Sequence, residues 1–289
     1  AQQCQNPART RRDLAAKLDS GKDCTMSIIT VSKVSGSIGA AVHGVNLGLI
    51  TDADFEVVHQ AFLEHCVLVF PDQFLSVDDH VAFASRWGEF SVSPFVNYLD
   101  THPMVLPLNN RGKSGTVTEN WHTDSAFLPE PPALNVLSAR NVPRGGDTMF
   151  CNQYRSYNRL SPGLQHLLRD LRAEFTGARL AALAGSDEVP STFHPVVRTH
   201  PETGHKSIYL TRPGDSVPRF ENMTNAESMP LLQFLYEHSV QPDNIYRHQW
   251  NNGDVVMWDN RCTMHYAVHD YGDDPRDIHR ISIQGSVPF

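Results

Sequence analysis

A mainly β fold with flanking helices (α+β), arranged as a sandwich or jelly roll, is what this 289-residue chain predicts. Three observations carry that expectation. Short strand-like segments recur along the chain, cut by Gly and Pro turns. Helical segments fall mainly outside that run. No glycine-rich loop follows any strand, as a nucleotide-binding parallel sheet would require.

Taken in order, residues 1–25 are polar, mixed in charge and without the apolar core of a secretory signal, and read as a flexible N-terminal extension. One domain is expected over residues 26–289, because neither internal repeats nor a low-complexity linker interrupts it. Strand character begins at Ile28-Ile29-Thr30-Val31. Thr51-Asp52-Ala53-Asp54 caps a helix with Phe55, Val58, Ala61 and Phe62 on one face. Val67-Leu68-Val69-Phe70 then reads as a short buried strand stopped by Pro71. Ser76, with Asp79 three residues on, opens a second helix carrying Val81 and Phe83. Ser161-Pro162 starts a third, with Leu164, Leu167, Leu168 and Leu171 at helical spacing. Thr224 and Glu227 form a capping-box pattern for a fourth, which turns Leu231, Leu232 and Leu235 inward. Pro230 should kink that helix or mark its true start. The further strand candidates are 133–139, 147–151, 195–199, 206–210, 246–250, 255–258 and 279–284.

Composition narrows the partners. The 40% hydrophobic and 19% charged content is ordinary for a soluble globular chain. A net charge of −8 argues against a nucleic-acid partner, which demands a basic face. An anionic substrate must then be drawn by local arginines, not by the whole-molecule field. The five cysteines are odd in number, scattered and free of any Cys-x-x-Cys pair, so a reducing, cytoplasmic setting is expected. No apolar run approaches the ~18 residues of a membrane span, so no membrane partner is expected. A homo-oligomer stays open.

The chemistry concentrates in Trp121-His122-Thr123-Asp124 and in a distant His265 followed by Arg276 and Arg280. Two imidazoles and one carboxylate are the ligand set that holds non-haem Fe(II) with open coordination positions. Spaced two apart on a strand, His122 and Asp124 would point to the same face. His265 would arrive from another strand, delivered by the Asp259-Asn260 turn. The short motif alone is weak, since chance predicts about two His-x-acid matches in this composition, and the chain has two. The other, His200-Pro201-Glu202, lies between turn residues and reads as a solvated turn. Arg276, Ile278 and Arg280 share one strand face, and two inward guanidiniums need anions. At ~4 Å and an effective dielectric near 20, a guanidinium attracts a carboxylate by about 4 kcal/mol before desolvation. Internal pairing with Asp270, Asp273, Asp274 or Asp277 is the competing reading for both arginines.

These residues, with Gly145-Gly146-Asp147-Thr148, His194-Pro195-Val196-Val197-Arg198-Thr199-His200-Pro201 and Trp258-Asp259-Asn260-Arg261, resemble the taurine dioxygenase/dichlorophenoxyacetate dioxygenase family over residues 27–286. The resemblance implies a double-stranded β-helix jelly roll and a dioxygenase dependent on Fe(II), 2-oxoglutarate and O2, stimulated by ascorbate. It makes His122, Asp124 and His265 the metal ligands and catalytic centre. It gives Thr148 and Arg276 to the distal carboxylate of 2-oxoglutarate, and Arg280 to an anionic substrate group or the cosubstrate. Ser93 stands where taurine dioxygenases carry a sulfonate-binding histidine, so taurine is disfavoured. The implied reaction hydroxylates a small organic carboxylate, sulfonate or sulfate ester, releasing succinate and carbon dioxide. Trp258 is read as core filling without a role. Two alternatives stand beside this reading: a metal-dependent hydrolase using the same His/Asp/His set, and a non-catalytic binding jelly roll.

Overall fold

The longest apolar runs become the middle of a seven-stranded sheet in a computed structural model that describes residues 28–93, 95–109 and 119–289. In chain order the strands are β1 (Thr30–Lys33), β2 (Ala40–His43), β3 (Val67–Phe70), β4 (Leu106–Leu108), β5 (Leu134–Asn141), β6 (Thr148–Asn152), β7 (Arg172–Thr176), β8 (Ser191–Pro195), β9 (Val197–Thr199), β10 (Lys206–Ile208), β11 (Ile245–His248), β12 (Val255–Asp259), β13 (Thr263–Ala267) and β14 (Asp277–Ile283). The helices are α1 (Asp52–His65), α2 (Val77–Ser85), α3 (Gln153–Asn158), α4 (Pro162–Leu168), α5 (Ala178–Ala184) and α6 (Asn225–Ser239).

The large sheet runs β1-β2-β3-β12-β5-β14-β4 and is antiparallel except for the β2–β3 pair. Its central strands are apolar on both faces because both are covered, and period-two alternation decides which residue faces where. Leu68, Phe70, Met257 and Ile281 meet Val58 and Phe62 of α1 and Phe83 of α2. Val67, Val69, Leu137, Val256 and Trp258 face Phe150 of a second sheet, ordered β11-β6-β13. Two sheets thus enclose one core, as expected of the mainly β reading. A third cluster joins Leu168 of α4, Leu232 and Leu235 of α6, and the β7/β8 and β9/β10 ladders.

Local signals fix the helix ends. The Thr51, Ser76, Ser161 and Thr224 side chains each accept from the backbone N–H three residues on, and Thr224 with Glu227 closes the full capping box. Cys66 stops α1 in the left-handed region at φ 62, donating its N–H to Phe62, so that the chain enters β3 at the next residue.

Several expectations need correction. The helix starts at Asn225, not at Pro230, which sits inside α6. That position is tolerated because Pro230 and Ala226, whose carbonyl loses its helical donor, are both exposed to water. Leu167 is 54% exposed, since α4 ends at Leu168 before its apolar stripe can close. The single strand expected at 195–199 divides into β8 and β9 around Val196, each pairing with a different neighbour. In chain order, helices α3 to α6 fall within the strand run and not mainly outside it, while the mainly β fold with helices is as expected. The extension at 1–25 lies outside the described residues. Among those described, no helix is long and apolar enough to cross a membrane.

Candidate metal centre and active-site cavity

His122 lies on an isolated antiparallel bridge, not in a regular strand, and its partner residue is His265 itself. The His122 N–H donates to the His265 carbonyl at 3.0 Å and the return bond is 2.9 Å. Alternation along the extended segment still works as expected. Trp121 packs with Met264 and Cys151, and the Thr123 hydroxyl donates to the Leu210 and Thr263 carbonyls. His122 and Asp124 are left together: His122 Nε2 is 3.5 Å from Asp124 Oδ1. His265, in the middle of β13, puts its Nε2 3.8 Å from Asp124 Oδ2. One ligand atom from each of the three residues falls within 4.8 Å of the others.

The donor chemistry fits a divalent cation. His122 Nδ1 is committed to the Asn120 carbonyl at 2.7 Å, which orients the ring and leaves Nε2 buried with no partner. The two imidazole ring centroids lie 4.1 Å apart. Burial first, then the neighbouring His122, pushes the His265 imidazole down to about 3, so it is neutral and able to donate a lone pair. Burial works to raise the Asp124 carboxyl, but Arg280 and both histidines outweigh it and hold it well below the usual carboxylate range.

Four neighbours keep the ligands in place. Arg280 Nη1 donates to Asp124 Oδ2 at 2.9 Å. The fully buried Asn260 side chain accepts from the Asp124 N–H at 2.9 Å and donates to the Asp124 and Pro132 carbonyls at 3.0 Å. Ser125, in the left-handed region at φ 48, turns the chain away immediately after the carboxylate. Trp258, taken from the sequence as mere filling, lines the cavity and packs its ring 4.5 Å from that of His265.

The cavity beside this cluster has a volume of about 770 Å³. Thr148, Arg276, Arg280 and Ser93 all line it. Arg276 is 5% exposed and donates from Nε to the Gly146 carbonyl at 3.3 Å. Gly146 has φ +69, and a Cβ there would meet Tyr271 at 2.9 Å and Arg276 Nε at 3.1 Å, so glycine is what lets the arginine pass. The competing internal pair is not formed: Asp270 binds Arg247 and the Gly146 N–H, and Asp277 lies against His279. No carboxylate is within ion-pair range of Arg276 among the described residues, whereas Arg280 is paired, with Asp124. Burial lowers the Arg276 pKa against the weaker pull of Tyr271 and Asp147. Thr148 accepts from Trp250 Nε1 at 3.0 Å. Ser93 belongs to the wall through its loop: its N–H donates to the Tyr98 hydroxyl, and its own oxygen accepts from the Phe95 N–H.

His200 corrects a sequence expectation. Its motif does form a turn, but the imidazole is 2% exposed and bonds Asp259 at 2.9 Å, while Glu202 pairs with Arg261 and His59. The pair braces the segment before His265 and joins no metal-type cluster among the described residues.

A family model for the taurine catabolism dioxygenase TauD, TfdA family matches residues 30–282. The chain belongs to the TauD/TfdA family. Within it, the chain is 34% identical to an alkylsulfatase of Acinetobacter baylyi, over 90% of this chain and 86% of that one. It is likewise 34% identical to an (S)-phenoxypropionate/alpha-ketoglutarate-dioxygenase of Sphingobium herbicidovorans, covering 82% and 88%. A crystal structure of a taurine dioxygenase from Burkholderia xenovorans superposes with a TM-score of 0.80 at 32% identity, covering 90% and 92% of the two chains. TauD/TfdA membership brings a requirement for 2-oxoglutarate and a metal ion, and the His/Asp/His cluster suits the latter.

Proposed function

We propose that this TauD/TfdA protein is a non-haem Fe(II)- and 2-oxoglutarate-dependent dioxygenase that hydroxylates a small anionic organic substrate. The observation that carries the reading is a three-residue ligand cluster opening onto a cavity whose buried Arg276 has no carboxylate partner among the described residues. His122, Asp124 and His265 would hold the ion, and Arg276 with the Thr148 hydroxyl would grip the distal carboxylate of the keto acid. When bound, the ferrous ion, 2-oxoglutarate and O2 supply an oxidant able to take hydrogen from a substrate C–H, leaving the hydroxylated product, succinate and carbon dioxide. The chain's own work is placement. Arg280 fastens one edge to Asp124 and retains a buried Nε without a partner for a substrate anion. Ser93 would contact that substrate from the wall, and Leu106, Leu108 and Leu137 exclude water.

The substrate class follows from relatives that act on sulfate esters and phenoxypropionate, with small carboxylates, sulfonates and sulfate esters the compounds to screen. A hydrolase at the same centre would need a general base, yet Asp124 is the one carboxylate lining the cavity among the described residues. The test is succinate formation from 2-oxoglutarate with Fe(II) and ascorbate, measured with and without candidate organic acids. His122→Ala should abolish metal binding and coupled turnover together. Intact coupled turnover in that variant would refute the assignment.

A further inference from the structure

Away from the metal centre, the cavity is walled by α5 and the strand leading into it: Phe175, Arg179, Leu180 and Leu183 all face it. The start of α5 is pinned. The Gly177 N–H donates to the Pro190 carbonyl at 2.8 Å, and a Cβ on Gly177 would lie 2.8 Å from Pro190 and 3.2 Å from Phe127, another lining residue. Arg179 is half-buried on this anchored wall and has no ion pair, hydrogen bond or ring contact among the described residues.

Charge decides what that arginine is for. Among the described residues, the cavity lining holds three guanidiniums, those of Arg179, Arg276 and Arg280, against the single carboxylate of Asp124. A divalent metal and a doubly charged keto acid cancel each other, so loading the site leaves the excess of two positive charges unchanged. A singly charged substrate would meet one of them and leave the other without an anionic partner in the cavity.

We propose that Arg179 receives a second anionic group, so that the preferred substrate is an elongated organic dianion. One anionic group lies at the metal end beside Arg280, and an apolar body runs past Phe127, Phe175 and Leu180. A carboxylate, sulfonate or sulfate then meets Arg179 at the α5 end. This inference rests on the dioxygenase reading and is tested apart from it.

The probes are matched pairs of straight-chain monocarboxylates and α,ω-dicarboxylates of equal carbon number, from adipate to dodecanedioate. Each is titrated calorimetrically, without oxygen, into protein loaded with Co(II) and 2-oxoglutarate. Binding of 2-oxoglutarate itself is measured first, and its failure would sink the dioxygenase reading. With that binding intact, at least one diacid should bind about tenfold tighter than its matched monoacid. Arg179→Gln should erase that preference while leaving monoacid and 2-oxoglutarate affinities within about twofold, and Arg179→Lys should restore part of it. Equal affinities at every length, no probe binding at all, or a preference that survives in Arg179→Gln would overturn the role of Arg179 and leave the metal-site reading standing.

Discussion

Asn260→Ala offers the sharpest separation between a residue that merely fills the core and one that holds the metal ligand. The wild-type amide makes three bonds at 2.9–3.0 Å, two of them to the backbone of Asp124, with no exposure to solvent. Alanine leaves one N–H and two carbonyls short of partners, each a loss of about 1–3 kcal/mol and not additive. The metal-free protein should therefore lose about 3 kcal/mol, read from urea unfolding in chelator. Freed from its backbone clamp, Asp124 should also bind metal about 10–100-fold more weakly, or about 1.4–2.7 kcal/mol, read by anaerobic titration with Co(II) or Fe(II). Ser228→Ala is the control. Ser228, in α6, is equally buried; its hydroxyl donates to the Thr224 carbonyl and accepts from the Phe220 N–H at 3.0 Å, so its loss should lower stability by about 1–3 kcal/mol without touching metal affinity. If Asn260→Ala behaves like the control, with metal affinity within about threefold of wild type, the clamp argument is wrong.

Two other perturbations follow from the same geometry. Gly146→Ala forces a Cβ into a left-handed position against Arg276 and should raise the KM for 2-oxoglutarate about tenfold or more at unchanged metal affinity; an unaltered KM would detach Arg276 from the cosubstrate. His80 is buried, and burial brings its imidazole down to about 3, so below the ordinary 6.5 the unfolded chain takes up a proton that the native state refuses. Stability should therefore fall with falling pH between about 6.5 and 3, by up to about 1.4 kcal/mol per unit from this residue. His80→Met should flatten that slope in chelator-treated protein, and parallel slopes would refute the attribution.

The parts of this molecule that were legible in the sequence share a local cause. Caps at Thr51, Ser76, Ser161 and Thr224 are read from neighbours three residues apart, and the apolar strands 67–70 and 255–258 from their own composition. The ligand cluster was legible because its residue types are rare in combination and a family pattern tied the distant His265 to His122. What escaped depends on contacts made far along the chain. Asn260 looked like turn chemistry, and only the fold brings Asp124 to its amide. Arg179 sits on an alanine- and leucine-rich segment too short to announce itself, and Trp250 reaches Thr148 only through the pairing of β11 with β6. His200 was misjudged because Pro and Gly around it do make a turn, while the imidazole folds inward onto Asp259.

The reciprocal backbone bonds between His122 and His265 bear on how the protein comes to hold its ion. Two ligands drawn from remote stretches of chain sit directly opposite each other as one bridge pair, so neither backbone can drift from the other without breaking those two bonds. A half-folded chain, in which that long loop is still open, offers a cation single scattered donors of low affinity. Metal uptake should therefore come late in folding, with metal retention during refolding rising together with the signal that reports closing of the sandwich.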